Sequence, residues 1–292
     1  MNERPVHVDY HTHVIEHGLA KPRRVGEIVQ AALERGLSTI CLTDHYPLPP
    51  WYEDPTDEKD CAMALTDYPI YQQEVTQAIE EFGDRIQIRR GAEVDWFADH
   101  AEWTRQEVNR WPFDYVMGSV HFIGRISDSL GERNFLLDYK EEEFQRGVEF
   151  FGGIEPLVRS YYGEVQAMAR SGIFDGVGHL DLVKKYNDGD LFSGDETWYR
   201  EAVVNTLNAI SRYGMSIEIN TAGFDKKCHE AYPSLWILQE ARAKSIPLTI
   251  SSDGHVPEII GKNLGSAVEL AKAAGYDHLT EYERRQRIAV QI

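Results

Sequence analysis

Val8-Asp9-Tyr10-His11-Thr12-His13 is the stretch that decides how this chain is read. It opens as a short β-branched and aromatic run, the composition of a strand. It closes on two histidines one residue apart, and strand side chains alternate, so both rings leave the same side of the backbone. The pattern of a brief strand with chemistry-bearing residues at its C-terminal end then recurs. Thr39-Ile40-Cys41-Leu42 runs into Thr43-Asp44-His45, and Ile86-Gln87-Ile88-Arg89 leads to Gly91-Ala92-Glu93-Val94-Asp95. Tyr115-Val116-Met117 leads to Gly118-Ser119-Val120-His121, and Gly176-Val177-Gly178 to His179-Leu180-Asp181. Ser216-Ile217-Glu218-Ile219 ends at Asn220, and Leu248-Thr249-Ile250-Ser251 at Ser252-Asp253-Gly254-His255.

The segments between these runs carry the helical period. Val25, Ile28, Val29, Ala32 and Leu33 fall on one face, Glu27, Gln30 and Glu34 on the other, and Gly36 stops the run. Similar windows cover 71–82, 162–169, 199–210, 235–243 and 267–274. Strands that alternate with helices need crossover connections and therefore pair in parallel. Seven such units in 292 residues fit a closed or nearly closed barrel in a single domain over 1–292, with a doubly wound open sheet as the alternative.

Composition narrows the function classes. Apolar residues make up 42% and charged residues 27%, an ordinary globular balance. With 30 Lys and Arg against 48 Asp and Glu, the net charge of −18 repels phosphate backbones, so no nucleic-acid partner is expected. No apolar run approaches the roughly 20 residues that cross a bilayer, so no membrane partner is expected either. The opening Met-Asn-Glu-Arg-Pro lacks an apolar signal core, and Cys41, Cys61 and Cys228 form no Cys-x-x-Cys pair. Both point to a reducing cytoplasm. The acidic run Glu53-Asp54-Pro55-Thr56-Asp57-Glu58-Lys59-Asp60 reads as a solvated loop, with a lid over the site as the alternative.

In a parallel barrel all strand C-termini point at one mouth, so residues distant in sequence converge there. Of 11 histidines, His11, His13, His17, His45, His121, His179 and His255 fall at or just after these ends, joined by Glu93 and Asp253. Imidazole and carboxylate donors without thiolate suit Zn, Mn or Fe. Each short motif alone is commonplace; their recurrence around a ring is not what solvated histidines would produce. His7, His100, His229 and His278 lie elsewhere and read as packing or surface residues.

The order Asp-x-His-x-His, Thr-Asp-His, Gly-x-Glu, Gly-Ser-Val-His, Gly-His-Leu-Asp, Glu-Ile-Asn-Thr and Ser-Asp-Gly-His resembles the PHP (polymerase and histidinol phosphatase) superfamily. The linking text resembles its histidinol-phosphatase branch, notably Gly118 to Ile123, Ser171 to Lys185, Glu218 to Gly223 and Tyr232-Pro233-Ser234. The resemblance implies a distorted (β/α)7 TIM-like barrel holding two or three divalent ions. On that pattern His11, His13, Glu93 and Asp253 hold one ion, Glu93 bridges to a second with His121 and His179, and His17, His45 and His255 hold a third. The chain departs from the family where Val14-Ile15-Glu16 precede His17, and where Gly223-Phe224-Asp225-Lys226 replaces a common Gly-Leu-Arg-Lys.

The expected activity is hydrolysis of a small phosphate monoester, with histidinol phosphate foremost and an ion-activated water as nucleophile. Glu93, Asp44 and Asp253 are the candidate catalytic carboxylates, with Asp44 orienting a ligand imidazole by accepting its other N–H. By resemblance to family substrate loops, Arg159 and Lys226 would hold phosphate, joined by Arg125. Glu16, Asp95 or Asp181 would receive the cationic end of the substrate. The rival readings are a PHP-type nuclease or nucleotide phosphatase, an amidohydrolase, and a non-catalytic PHP module.

Overall fold

The computed structural model describes residues 7–15 and 24–292. The first half runs β1 (Val8–Thr12), α1 (Val25–Glu34), β2 (Thr39–Leu42), α2 (Tyr68–Phe82), β3 (Gln87–Asp95), α3 (Ala101–Val108) and β4 (Tyr115–Ser119). A hairpin of β5 (Phe122–Asp128) and β6 (Gly131–Leu136) follows, then α4 (Glu141–Phe150), α5 (Ile154–Ser171) and β7 (Gly176–Val177). The chain continues through α6 (Thr197–Tyr213), β8 (Ser216–Asn220), α7 (Leu235–Ala243), β9 (Leu248–Ser251) and α8 (Leu264–Ala273). It ends in a second hairpin, β10 (His278–Glu283) and β11 (Gln286–Gln291).

Seven strands form one parallel sheet in the order β1-β2-β3-β4-β7-β8-β9, and each coincides with a predicted run. The sheet curls until β9 returns to β1. His13 N–H donates to Gly254 O at 2.9 Å and Asp253 N–H to His11 O at 2.9 Å, which closes the barrel at its C-terminal mouth. β3 and β8 are longer than expected, so Glu93, Asp95 and Asn220 lie within strands rather than after them. The two hairpins, α3 and α4 are additions to the expected pattern; they are short or rich in charge, and the apolar face of α4 is confined to a few residues around Phe144.

The helices pack as their periods require. α1 buries Val25, Ile28, Val29, Ala31 and Ala32. α5 and α6 end at Gly172 (φ 64°) and Gly214 (φ 67°), left-handed positions that glycine adopts without a Cβ penalty. Each turn feeds the next strand within a few residues. At Gly118 of β4 an added Cβ would fall 2.6 Å from the Met168 sulfur of α5, so that glycine permits the close packing of helix on strand.

The N-terminal end of the barrel is sealed by the β10–β11 hairpin. Tyr282 N–H donates to Tyr10 Oη at 2.7 Å, and the Tyr282 hydroxyl donates to Asp175 O at 3.1 Å and meets Ser216 Oγ at 3.0 Å. The Tyr10 and Tyr282 rings pack against Tyr115 at centroid distances of 5.6 and 4.7 Å. Among the described residues no helix is long and apolar enough to cross a membrane.

Candidate metal centre

The predicted residues meet at the mouth around Glu93, which is buried at the end of β3. Its two oxygens face different partners. Oε1 lies 2.9 Å from His179 Nε2 and 3.6 Å from His121 Nε2. Oε2 lies 3.0 Å from His45 Nδ1, 3.2 Å from His11 Nε2 and 3.6 Å from His13 Nε2. Asp253 Oδ1 adds contacts of 3.2 Å to His13 Nε2 and 3.5 Å to His11 Nε2. His255 stacks on His13 with ring centroids 4.0 Å apart.

Three trios bring their donor atoms within 4.8 Å of one another: His11 with His13 and Glu93; His45 with Glu93 and His121; and His13 with His45 and His255. His13 therefore belongs to two of these groups, where the family pattern places it in one. His17 and Glu16 lie outside the described residues.

Local backbone irregularity aims these groups. Tyr10 packs on Tyr115 at the sealed end, yet the next residue, His11, reaches Glu93. Strict alternation would send neighbours to opposite faces, and the register shift between Asp9 and Thr12 is where β1 breaks it. His179 (φ 24°) and Asp253 (φ 55°) both have positive φ, a conformation that costs a non-glycine residue about 1–3 kcal/mol and recurs at functional sites.

Buried carboxylates behind the rings set their direction. Asp95 Oδ1 lies 2.8 Å from His121 Nδ1, leaving Nε2 towards Glu93 and His179. Glu218 lies 3.2 Å from His11 Nδ1 and accepts the His179 backbone N–H at 2.6 Å. Asp44 stands 3.7 Å from His13 Nδ1, and its carboxylate accepts the N–H groups of Val14 at 2.7 Å and His45 at 2.9 Å. Asp44 thus fixes the backbone around His13 and His45 more than it holds a ring.

The donor set fits divalent ions. Among the described residues, His11 Nε2 and both His13 ring nitrogens are buried at 3.2–3.7 Å from carboxylate oxygens without good hydrogen-bond geometry, an arrangement that a cation between them would complete. Burial alone would make these imidazoles harder to protonate, but the surrounding carboxylates outweigh it. Burial opposed by Asp253 and Asp44 leaves His13 at about 9, and burial opposed by Glu93 and Asp95 leaves His121 at about 10. Against its own burial, Glu93 is held well below the carboxylate range by His11, His45 and His121. The pocket is built to surround positive charge.

Above this floor opens a cavity of about 560 Å³. Lys226, Lys185 and Lys140 line it, but Arg159 and Arg125 do not. Arg159 lies on the outer face of α5, paired with Glu155 at 2.8 Å, and Arg125 on β5 is paired with Glu132 at 2.9 Å. The structure therefore places neither expected phosphate ligand on the cavity lining, because linear similarity does not reveal which way a side chain faces. Lys140 is tied to Asp57 at 2.6 Å and Lys185 to Asp138 at 3.0 Å, whereas among the described residues no ion pair is formed by Lys226. Asp181 is also removed from the mouth, since it is buried against Lys184 at 3.0 Å. Asp95 lines the cavity but is engaged with His121.

The acidic run is a wall, not a freely solvated loop. Asp54 accepts the N–H groups of Thr56 at 2.7 Å and Cys61 at 3.1 Å, Tyr139 donates to Glu58 at 3.0 Å, and Thr56, Glu58 and Asp60 line the cavity. Glu218, Asp138 and Lys185 are site residues that the sequence reading missed. The signal for Glu218 was present, a carboxylate alternating with Ser216 and Asn220 in an otherwise apolar strand.

Comparison with known proteins agrees with this geometry. The family model described as PHP domain matches residues 7–222. The chain is 33% identical over 277 residues to the protein named "Probable histidinol-phosphatase" of Deinococcus radiodurans, covering 95% of this chain and 96% of that one. It is 33% identical over 268 residues to the histidinol-phosphatase of Bacillus subtilis, covering 89% and 96%. A Lactococcus lactis histidinol phosphate phosphatase solved with Zn, L-histidinol and phosphate superposes with a TM-score of 0.72 at 23% identity, covering 96% and 98%.

Proposed function

The chain belongs to the PHP domain family, and on that premise we propose that it is a metal-dependent phosphatase that converts L-histidinol phosphate and water to L-histidinol and phosphate. The observation that carries this reading is the division of Glu93, one oxygen towards His121 and His179 and the other towards His11, His13 and His45. His11, His13, Glu93 and Asp253 would hold one divalent ion, and Glu93, His121 and His179 a second. His45 and His255, grouped with His13, would contribute to a third position. Zn, Mn and Fe all suit these donors. The chain acts as one phosphoesterase domain and works in the cytoplasm, a compartment that suits its free cysteines.

When bound, the ions supply an activated water and offset the charge that builds on the phosphate oxygens. The protein's own part is positioning. Glu218 and Asp95 keep the His11 and His121 rings aimed, so little reorganisation is needed as the reaction proceeds. Lys226 offers its ammonium to the phosphate from the cavity lining, and Lys185, held by Asp138, stands on the same lining. Glu58 and its neighbours on the acidic wall face the ammonium and imidazole of the substrate. A nucleoside monophosphate carries the same phosphate but no cationic end to meet the acidic wall, so the wall favours histidinol phosphate over it.

Metal-replete protein offered histidinol phosphate, nucleoside monophosphates and an aryl phosphate in competition tests this. Histidinol phosphate should be preferred in kcat/KM by at least about 10- to 100-fold, the discrimination a few charged contacts supply. A preference for nucleotides or uncharged aryl esters would overturn the substrate assignment.

A further inference from the structure

We propose that Asp9 is a positioning residue for the ion held by His11, His13 and Asp253, acting by clamping the seam where the barrel closes. This rests on the reading of the mouth as a metal centre. Asp9 is fully buried, and both of its carboxylate oxygens are taken up by backbone and hydroxyl donors rather than left for an ion. Its carboxylate accepts four hydrogen bonds. Oδ1 takes the N–H of Ser252 at 2.9 Å and of His11 at 3.4 Å. Oδ2 takes the Ser252 hydroxyl at 2.5 Å and the N–H of Gly261 at 2.9 Å.

These donors come from three segments that have to be held together: β1, the end of β9, and the turn before α8. Between the clamped Ser252 and the seam bond from Gly254 stands Asp253, whose left-handed backbone (φ 55°) does not persist without support. Asn220 Nδ2 holds the Asp253 side chain at 3.0 Å, and Asp9 holds the backbone that carries it. Closing the barrel and presenting Asp253 are therefore one act. His121 and His179 follow β4 and β7, on the side of the barrel away from the β1–β9 seam.

Asp9→Asn keeps the shape but sets an amide N–H₂ against N–H and O–H donors, which breaks at least one arm of the clamp. Calorimetric titration of the metal-stripped protein with Zn²⁺ reads the effect, and the same titration of His121→Ala identifies the step that belongs to the other ion. Asp9→Asn should lose about 10- to 100-fold in affinity at the seam step alone. Excess Zn²⁺ should then restore kcat with KM unchanged. Ser252→Ala, which leaves the Asp9 charge in place, should weaken the same step by less, and it decides the matter if Asp9→Asn does not fold. Wild-type affinity at every step in a folded Asp9→Asn or Ser252→Ala protein, or an equal loss at all steps, overturns the proposal. Failure of the wild-type chain to take up Zn²⁺ would instead overturn the metal-centre reading on which it rests.

Discussion

The two ends of this barrel are built from the same strands and serve opposite purposes. At the N-terminal end, Tyr10, Tyr115 and Tyr282 fill the interior with neutral rings; the Tyr282 backbone is tied to the Tyr10 hydroxyl, and the Tyr282 hydroxyl to the Asp175 backbone. At the mouth the interior positions carry Glu93, His11, His13 and Asp253, with buried imidazole nitrogens set against carboxylate oxygens at 3.2 Å. A few residues along a strand separate a surface built for stability from one built to hold charge. The sealed end supplies the cohesion that lets the mouth remain strained at His179 and Asp253.

The comparison is broken most directly at Glu93. Glu93→Ala should lower phosphate release by about 10³-fold or more, since the group shared between the ion sites is gone, while far-UV circular dichroism is unchanged. Turnover within tenfold of wild type would remove Glu93 from the centre. At the other end, Tyr282→Ala should cost about 3–5 kcal/mol in chemical denaturation, as for other buried large aromatics, yet leave kcat per folded molecule unchanged. A large fall in kcat with intact stability would erase the distinction between the ends.

Smaller effects sharpen the account of the cavity. Lys226→Met should raise KM for histidinol phosphate about tenfold, the worth of one charge-assisted hydrogen bond, while Arg159→Met leaves kinetics alone. Equal effects from the two would return Arg159 to the site.

The last prediction concerns pH. In metal-free protein His13 and His121 are held at about 9 and about 10, above the ordinary 6.5, because the carboxylates outweigh burial. Protonated imidazoles therefore stabilise the metal-free fold fully below about pH 6.5, and that contribution is lost as pH rises towards 9–10. The melting temperature of stripped protein should fall over that window, and adding metal should flatten the fall because neutral imidazole is the ligand form. Metal uptake at pH 7 should also release protons. A stripped protein whose melting temperature rises from pH 7 to 9 would contradict the electrostatics of the mouth.

Much of the barrel could be read from single residues. Parallel strands buried on both faces are short apolar runs, and Thr39–Leu42 or Leu248–Ser251 stand out for that reason. The hairpin β5–β6 did not, because Gly124, Arg125, Ser127 and Asp128 look like a loop when nothing reveals the partner strand. The imidazoles and carboxylates of the mouth were recognisable because strand ends in a barrel have one destination. Arg159 was misplaced because a helix face is set by packing, and Glu155 and Glu201 hold it on the outside. Asp138 and Lys185 were missed because they belong to separate loops that meet only in three dimensions.

The central claim is that ions gathered by these side chains carry out the hydrolysis. It is tested most directly by following phosphate release from L-histidinol phosphate with one preparation, first stripped by chelation and then reloaded with Mn²⁺ or Zn²⁺. The account predicts that release stops on stripping and returns on reloading, with two or three ions bound per chain. Undiminished release from the stripped protein would contradict it.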